Sequence, residues 1–406
     1  MEIIIDRACG LDVHKETAVG CVIGDGIGKE IRTFGTMTED LLQLAEWLKG
    51  KGVTHVAMES TGVYWRPIYN VLESDFEVML VNARHVKHVP GRKTDVSDCE
   101  WLCKLLRCGL LKESFVPEAD MRELRDLSRY RKKLVHAQAA EKNRVQKVLE
   151  DAGIKLSSVV SDTFGVSASA IVEELMKGEL TVEEMSALAR GRLKAKREQL
   201  KKALVGHFKE HHKFMLTASL KHIREIEKIV ADIDARIDQK MKPYQAEYEL
   251  LQTIPGVKEV AAASIIAEIG TDMSRFPDEE HLSSWAGMSP GLNESAGKKK
   301  ACKVTHGNKA LKVVLVECAW AASKTKDTYL KGKYNSLVGR RGKKKALLAV
   351  GHKILIACYH ILKKKEAYRE LGASYLDKRK AEKIVRSHVK RLSSLGYEVT
   401  LKAKTA

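Results

Sequence analysis

The order of hydrophobic periodicities over the first 110 residues constrains this chain more than any other feature. Residues 8–23 read as two mostly apolar strands joined by the short link Asp12 to Glu16, and Glu30 to Thr36 reads as a third strand after the loop Gly24-Asp25-Gly26-Ile27-Gly28. Thr38 stands as the N-cap of a helix carrying Leu41, Leu42, Leu44, Ala45 and Leu48, which ends before Gly50 and Gly52. A buried strand Thr54 to Met58 follows, then a helix through Tyr64, Trp65, Ile68, Tyr69 and Leu72, and a strand Glu77 to Val81. A last helix from Ser97 to Arg107 recurs in Trp101, Leu102, Leu105 and Leu106 at spacings of three and four. The expected order is three strands, helix, strand, helix, strand, helix.

That order is the ribonuclease-H-like pattern, and acidic residues fall where such a fold gathers them. In Lys93-Thr94-Asp95-Val96-Ser97-Asp98, Asp95 and Asp98 share one face at the mouth of the last helix. Carboxylates that close repel each other and retain a proton unless a cation lies between them. Asp12 ends the apolar run Cys9-Gly10-Leu11, and Glu59 ends Val56-Ala57-Met58. Taken singly, each acid reads as a solvated loop residue. Together, Asp12, Glu59, Asp95 and Asp98 suit magnesium, with manganese as a substitute, because hard cations take carboxylate, water and phosphate oxygens. Two ions about 4 Å apart would clamp the attacking and leaving oxygens of a phosphoryl displacement.

The chain has 406 residues and a net charge of +18, which points to a polyanionic partner, most simply nucleic acid. The first residues, Met1-Glu2-Ile3-Ile4-Ile5-Asp6, lack the basic region and long apolar core of a signal peptide. The apolar stretch Ala349 to Leu362 is interrupted by His352, Lys353 and His360, so a buried helix is expected rather than a membrane span. Eight cysteines without a Cys-x-x-Cys pair argue against zinc; Cys99, Cys103 and Cys108 read as reduced core residues of a cytoplasmic protein.

From Met121 no strand signal occurs for over a hundred residues. Arg122, Arg125, Arg129, Lys132 and Lys133 form a basic face opposite Leu124, Leu127 and Leu134, continued by Asn143, Arg144 and Lys147. This is either a solvated face or a nucleic-acid contact. Ile223, Ile226, Val230, Ile233 and Ile237 form a short heptad seam, for a dimer zipper or a pair of helices within the chain. Thr163 to Thr217 reads only as helix and loop.

Leu251-Gln252-Thr253-Ile254-Pro255-Gly256-Val257 before an alanine-rich helix reads as helix-hairpin-helix-like, with Gly256 placed to let backbone approach a phosphate. The alternative is an ordinary helical packing unit. Downstream lie Ser284-Trp285-Ala286-Gly287-Met288-Ser289-Pro290-Gly291 and Asn293-Glu294-Ser295-Ala296-Gly297-Lys298-Lys299-Lys300, where small residues flank Ser295 and lysines supply charge. Arg340-Arg341-Gly342-Lys343-Lys344-Lys345 leads into the apolar helix, and Lys363-Lys364-Lys365 and Lys378-Arg379-Lys380 form a basic tail, for phosphates or solvent.

These motifs carry a resemblance. Gly10-Leu11-Asp12-Val13-His14-Lys15, Glu59 to Trp65 and Lys93 to Asp98 resemble the signature of the DEDD transposases of bacterial insertion sequences, in the family numbered one-ten. Ile254-Pro255-Gly256, Trp285 to Pro290, Ser295-Ala296-Gly297-Lys298 and His306-Gly307-Asn308-Lys309-Ala310-Leu311 resemble the second domain of the same enzymes. The resemblance implies an α/β RuvC-like catalytic domain over 1–115, a helical and coiled-coil region over 116–245, a mainly helical transposase domain over 246–370 and a basic tail over 371–406. It implies that Asp12, Glu59, Asp95 and Asp98 are the acidic tetrad and that Ser295 is the nucleophile, although Ala296 intervenes where the family has Ser-Gly or Ser-Ser-Gly. Ser289 and Ser283 stand as further candidates. Lys93, Arg122, Arg125, Arg129, Arg144, Gly256, Lys298, Lys299, Arg340 and Arg341 are the expected nucleic-acid contacts. The partners implied are double-stranded donor and target DNA, a structured bridge RNA and other copies of the chain, in a dimer or tetramer that joins the acids of one subunit to the serine of another; no membrane is expected. Two other readings remain: a RuvC-like resolvase using water as nucleophile, and a non-catalytic nucleic-acid-binding protein.

Overall fold

The computed structural model describes residues 2–60, 62–82, 86, 97–291, 294–295, 298–299, 304 and 306–401. The chain forms two compact units, Met1–Val116 and Pro117–Ala406.

The first unit is mixed α/β: β1 Ala8–Val13, β2 Thr17–Gly24, β3 Gly28–Gly35, α1 Thr38–Gly50, β4 His55–Glu59, α2 Trp65–Leu72, β5 Glu77–Val81 and α3 Asp98–Arg107. All eight expected elements form, in the expected order. Thr38 is the first helical residue rather than the cap; Met37 holds the extended cap conformation and no side chain caps the helix. The sheet runs β3-β2-β1-β4-β5, antiparallel from β3 to β1 and parallel from β1 through β4 to β5, an arrangement consistent with a ribonuclease-H-like domain. Gly26 and Gly28, at φ 77° and 65°, supply the left-handed conformations that turn β2 into β3.

Strand alternation sorts the side chains into two layers. Cys9, Leu11 and Val13 of β1, Val56 and Met58 of β4, and Val78 and Leu80 of β5 pack with Leu41, Leu44 and Leu48 of α1 and Ile68 and Leu72 of α2. The opposite face, Ala8 of β1 and Ala57 of β4, packs with Cys103 and Leu106 of α3.

The second unit is almost wholly helical. Its long elements are α4 Ala119–Asp151 and, after α5 Val166–Lys177, α6 Val182–Ala187 and α7 Arg197–Leu204, the helix α8 Glu210–Met241. Helices α4 and α8 lie antiparallel, as their polar side-chain pairs show in sequence: Glu123 with Lys240, Arg131 with Asp234, Glu141 with His222 and Asp151 with His212. Ile223, Ile226, Ile233 and Ile237 are buried within the unit, so the heptad seam pairs helices of one chain. Residues 163–217 supply α5, α6 and α7, which cluster with Val145 and Leu149 at the far end of α4.

The rest comprises α9 Gln245–Gln252, α10 Glu259–Ile269, α11 Glu279–Trp285, the ribbon β6 Glu294–Ser295 with β7 Lys298–Lys299, α12 Lys309–Ala322, α13 Tyr329–Arg341, α14 Lys343–Lys364 and α15 Tyr375–Ser394. Helix α14 is long and apolar enough to cross a membrane, but half of its apolar window is buried within the unit. It packs against α9, α11, α12 and α13, and Gly351 allows a close crossing, since a β-carbon there would stand 3.1 Å from the Leu315 carbonyl oxygen. All seven described cysteines are free thiols.

Candidate active site

The first half of the site follows from strand register. Leu11 pairs with Met58 across the parallel strands β1 and β4, so the next residues, Asp12 and Glu59, stand side by side at the carboxyl ends of neighbouring strands. Since Leu11 and Met58 face α1 and α2, alternation turns Asp12 and Glu59 toward the α3 layer. Both acids are half-buried. The His14 imidazole lies 3.3 Å from the Asp12 carboxylate, Nε2 to Oδ2.

A glycine in the strand brings α3 to the same place. A β-carbon on Gly10 would stand 2.2 Å from the Cys99 carbonyl oxygen and 2.5 Å from the Cys103 nitrogen, so the helix rests directly on bare backbone. Asp98 opens α3, where the amino end of the helix favours a carboxylate. One residue on, the Cys21 thiol and then the Ser97 hydroxyl hold the Cys99 thiol down at about 6, against burial and the negative charge of Asp12. Cys21 is correspondingly raised, chiefly by its hydrogen bond to Cys99.

Asp12, Glu59 and Asp98 thus supply oxygen donors of the kind a hard divalent cation takes. Among the described residues no three potential ligands converge as a closed metal-binding group. Asp95, the fourth acid, and Lys93 lie outside the described residues.

In the second unit, β6 and β7 form a two-stranded ribbon in which Ser295 pairs with Lys298 and Glu294 with Lys299. Pro290 bridges Val304 below it. Ser283 is 1% exposed, with its hydroxyl unpartnered, so it cannot meet a phosphate in this conformation, whereas Ser289 is half-buried.

The expected basic face is partly turned inward. Arg125 donates to the carbonyl oxygens of Ala267 and Glu268 at 3.3 and 2.7 Å, satisfying the carboxyl end of α10. Arg129 makes a two-pronged pair with the Glu268 carboxylate, Nε to Oε1 at 2.7 Å and Nη2 to Oε2 at 2.9 Å. These two arginines therefore serve the fold first, because Glu268 is 2% exposed and a buried carboxylate needs partners. Arg122 donates to the Pro117 carbonyl and Arg144 pairs with Glu141. Arg340 and Arg341 lie exposed in the last turn of α13. At Gly256, with φ 87°, the close approach is to the chain itself: a β-carbon would stand 2.4 Å from the Cys318 carbonyl oxygen of α12.

Sequence reading gave no role to His14, Gly10, Glu268 or Asn308. A single carboxylate inside the apolar run Ala261 to Ile269 was the available sign of Glu268, and arginines spaced by four were the sign of its partner.

Comparison with known proteins follows the same division. A family model described as transposase, that of the DEDD transposases of IS110, matches residues 9–154, and the model of the transposase IS116/IS110/IS902 family matches residues 248–335. The first stretch contains all four candidate acids and the second contains Ser295. The chain is 23% identical over 372 residues to the transposase for insertion sequence element IS1111A of Coxiella burnetii, covering 89% of this chain and 91% of that one. It is 22% identical over 331 residues to a probable family 20 transposase of Pseudomonas aeruginosa, covering 77% and 85%. Over 54 residues, 13% of each chain, it is 41% identical to the mini-circle putative transposase for IS117 of Streptomyces coelicolor.

Proposed function

Because this chain belongs to the IS110 family of insertion-sequence transposases, whose models together cover more than half of it, we propose that it moves its element by a serine-linked, metal-dependent exchange of DNA strands. The observation that carries this reading is the placement of Asp12 and Glu59 on adjacent strand ends beneath α3. Unit 1 then acts as a RuvC-type ribonuclease-H-like domain.

In this reading Asp12, Glu59, Asp95 and Asp98 hold magnesium, and Ser295 is the nucleophile. Bound there, magnesium would offset the charge gathering on the phosphate oxygens and favour deprotonation of the attacking hydroxyl. The Ser295 oxygen forms a bond to phosphorus as one ester P–O bond of the DNA breaks, leaving a phosphodiester that joins protein to strand. A free DNA hydroxyl then reverses the exchange on a new strand, so no phosphoanhydride is required. Lys298, Lys299, Arg340 and Arg341 attract phosphates, and the serine of one subunit acts beside the acids of another in a dimer or tetramer. A structured bridge RNA pairs with donor and target DNA and selects both.

The test is covalent capture: protein with RNA from its own element and DNA carrying the element ends yields a protein–DNA adduct in magnesium. Ser295→Ala abolishes the adduct while nucleic-acid binding persists; an adduct that survives in Ser295→Ala overturns the serine assignment. Magnesium-dependent cleavage with no adduct would instead identify water as the nucleophile. Sequencing RNA copurified from cells tests the guide, since one discrete species encoded beside the gene is expected and a smear of cellular RNA would remove it.

A further inference from the structure

The carboxylate of Glu268 is buried in the mostly apolar helix α10 and yet fully engaged. Besides the two-pronged bond from Arg129, it lies 3.3 Å from Arg125 Nε and accepts a hydrogen bond from Asn308 Nδ2 at 2.6 Å, both on Oε2. Asn308 uses its other amide atom elsewhere: Oδ1 accepts the Leu311 N–H at 3.1 Å and so caps α12. The carboxylate can only accept and the Leu311 N–H can only donate, which fixes the amide orientation.

In sequence Asn308 follows closely on the bridge that closes the ribbon, four residues after Val304. Beside it, a β-carbon on Gly307 would stand 2.3 Å from the Gly287 nitrogen and 2.5 Å from the Trp285 oxygen, so this backbone is pressed against the end of α11. The Pro290–Val304 bridge closes the stem between that contact and β6.

We infer that Glu268 and Asn308 are positioning residues for the nucleophile: the buried carboxylate, oriented by Arg129 and Arg125, grips Asn308 and fixes the base of the ribbon whose backbone carries Ser295. The inference rests on the Ser295 reading above. Capping and grip are separable here. Asp at 308 caps a helix as well as Asn, but it sets a second carboxylate against Glu268.

Three full-length variants test this, Asn308→Asp, Glu268→Gln and the double exchange, each assayed well below its own melting temperature. Adduct formation, nucleic-acid affinity and amide hydrogen exchange of the peptide spanning 288–305 are measured together. Asn308→Asp is expected to slow the adduct about tenfold or more, the loss of one charge-assisted hydrogen bond, and to speed exchange in that peptide while affinity is kept. In the double exchange the amide placed at 268 can donate to the carboxylate placed at 308 but holds Arg129 and Arg125 less well, so both readouts stay impaired, yet the combined loss should be smaller than the product of the two single losses. Wild-type adduct rate and exchange in Asn308→Asp, or losses at 268 and 308 that simply multiply in the double variant, would overturn the inference. If the wild type forms no adduct at Ser295, the serine reading has failed, and ribbon exchange alone decides the role of Glu268 and Asn308.

Discussion

The Cys99 carbonyl oxygen occupies the space a β-carbon of Gly10 would need, 2.2 Å from that position. Backbone cannot yield there as a side-chain tip can. Gly10→Ala should therefore displace α3 and lower stability by about 1–3 kcal/mol, the usual range for overpacking. Urea unfolding of purified protein reads this directly, and an unshifted midpoint would show that α3 does not rest on β1 as described.

Asp12 and Glu59 stand side by side at the carboxyl ends of neighbouring strands, half-buried and with the His14 ring against Asp12, so neutralising either should cost activity rather than fold. Asp12→Asn and Glu59→Gln are expected to lower strand exchange by roughly 100-fold or more. Magnesium should raise the melting temperature of the wild type, by about 1.4 kcal/mol of stabilisation at ten times its dissociation constant, and leave both variants unmoved. Equal magnesium-induced shifts in all three proteins would rule the acids out as ligands.

Arginines with internal partners and arginines open to solvent should part company in salt titrations. Arg340→Ala and Arg341→Ala should each reduce the slope of log affinity against log salt by about 1, as a lost phosphate contact does. Arg129→Ala should leave that slope as it is and instead destabilise the fold, by about 3–5 kcal/mol, because Glu268 is left buried without its main partner. A salt slope reduced in Arg129→Ala at unchanged stability would return Arg129 to the nucleic-acid surface.

Burial, aided by the neighbouring Lys353 charge, pushes His352 of α14 below its ordinary value, so the folded state favours the neutral ring. A base depressed in this way contributes stability above its unfolded value of about 6.5 and loses it as the pH falls below that, at no more than about 1.4 kcal/mol per pH unit. The melting temperature should fall more between pH 7 and 5 for the wild type than for His352→Gln. Parallel profiles would show that His352 titrates alike in both states.

Much of the first unit was legible because its signals are local. Periods of two and 3.6 residues, glycine turns and the ends of apolar runs name the elements and place Asp12 and Glu59 without knowledge of any distant contact. The seam of α8 named a partner helix but could not say whose; only packing shows that it is α4. The partner of Arg129 stayed hidden because a basic stripe looks the same whether it faces water or a carboxylate 139 residues away. The ribbon was missed as structure because two-residue strands leave no periodicity to detect. Glu268 and Asn308 illustrate the same limit: each is unremarkable alone, and the meaning lies in their meeting.

Helix α4 also converts residue count into distance. Its 33 residues span about 50 Å at 1.5 Å each, with Arg125 and Arg129 rooted on α10 at one end and Val145 and Leu149 fixed in the cluster of α5 and α7 at the other. An unbroken helix of that kind is a ruler with a built-in protractor. Seven residues removed from it, with a matching cut in α8, would draw the far cluster in by about 10 Å and turn it by only about 20°, whereas a cut of two would swing it by more than half a turn. The reach of the distal cluster is therefore graduated in whole helical turns.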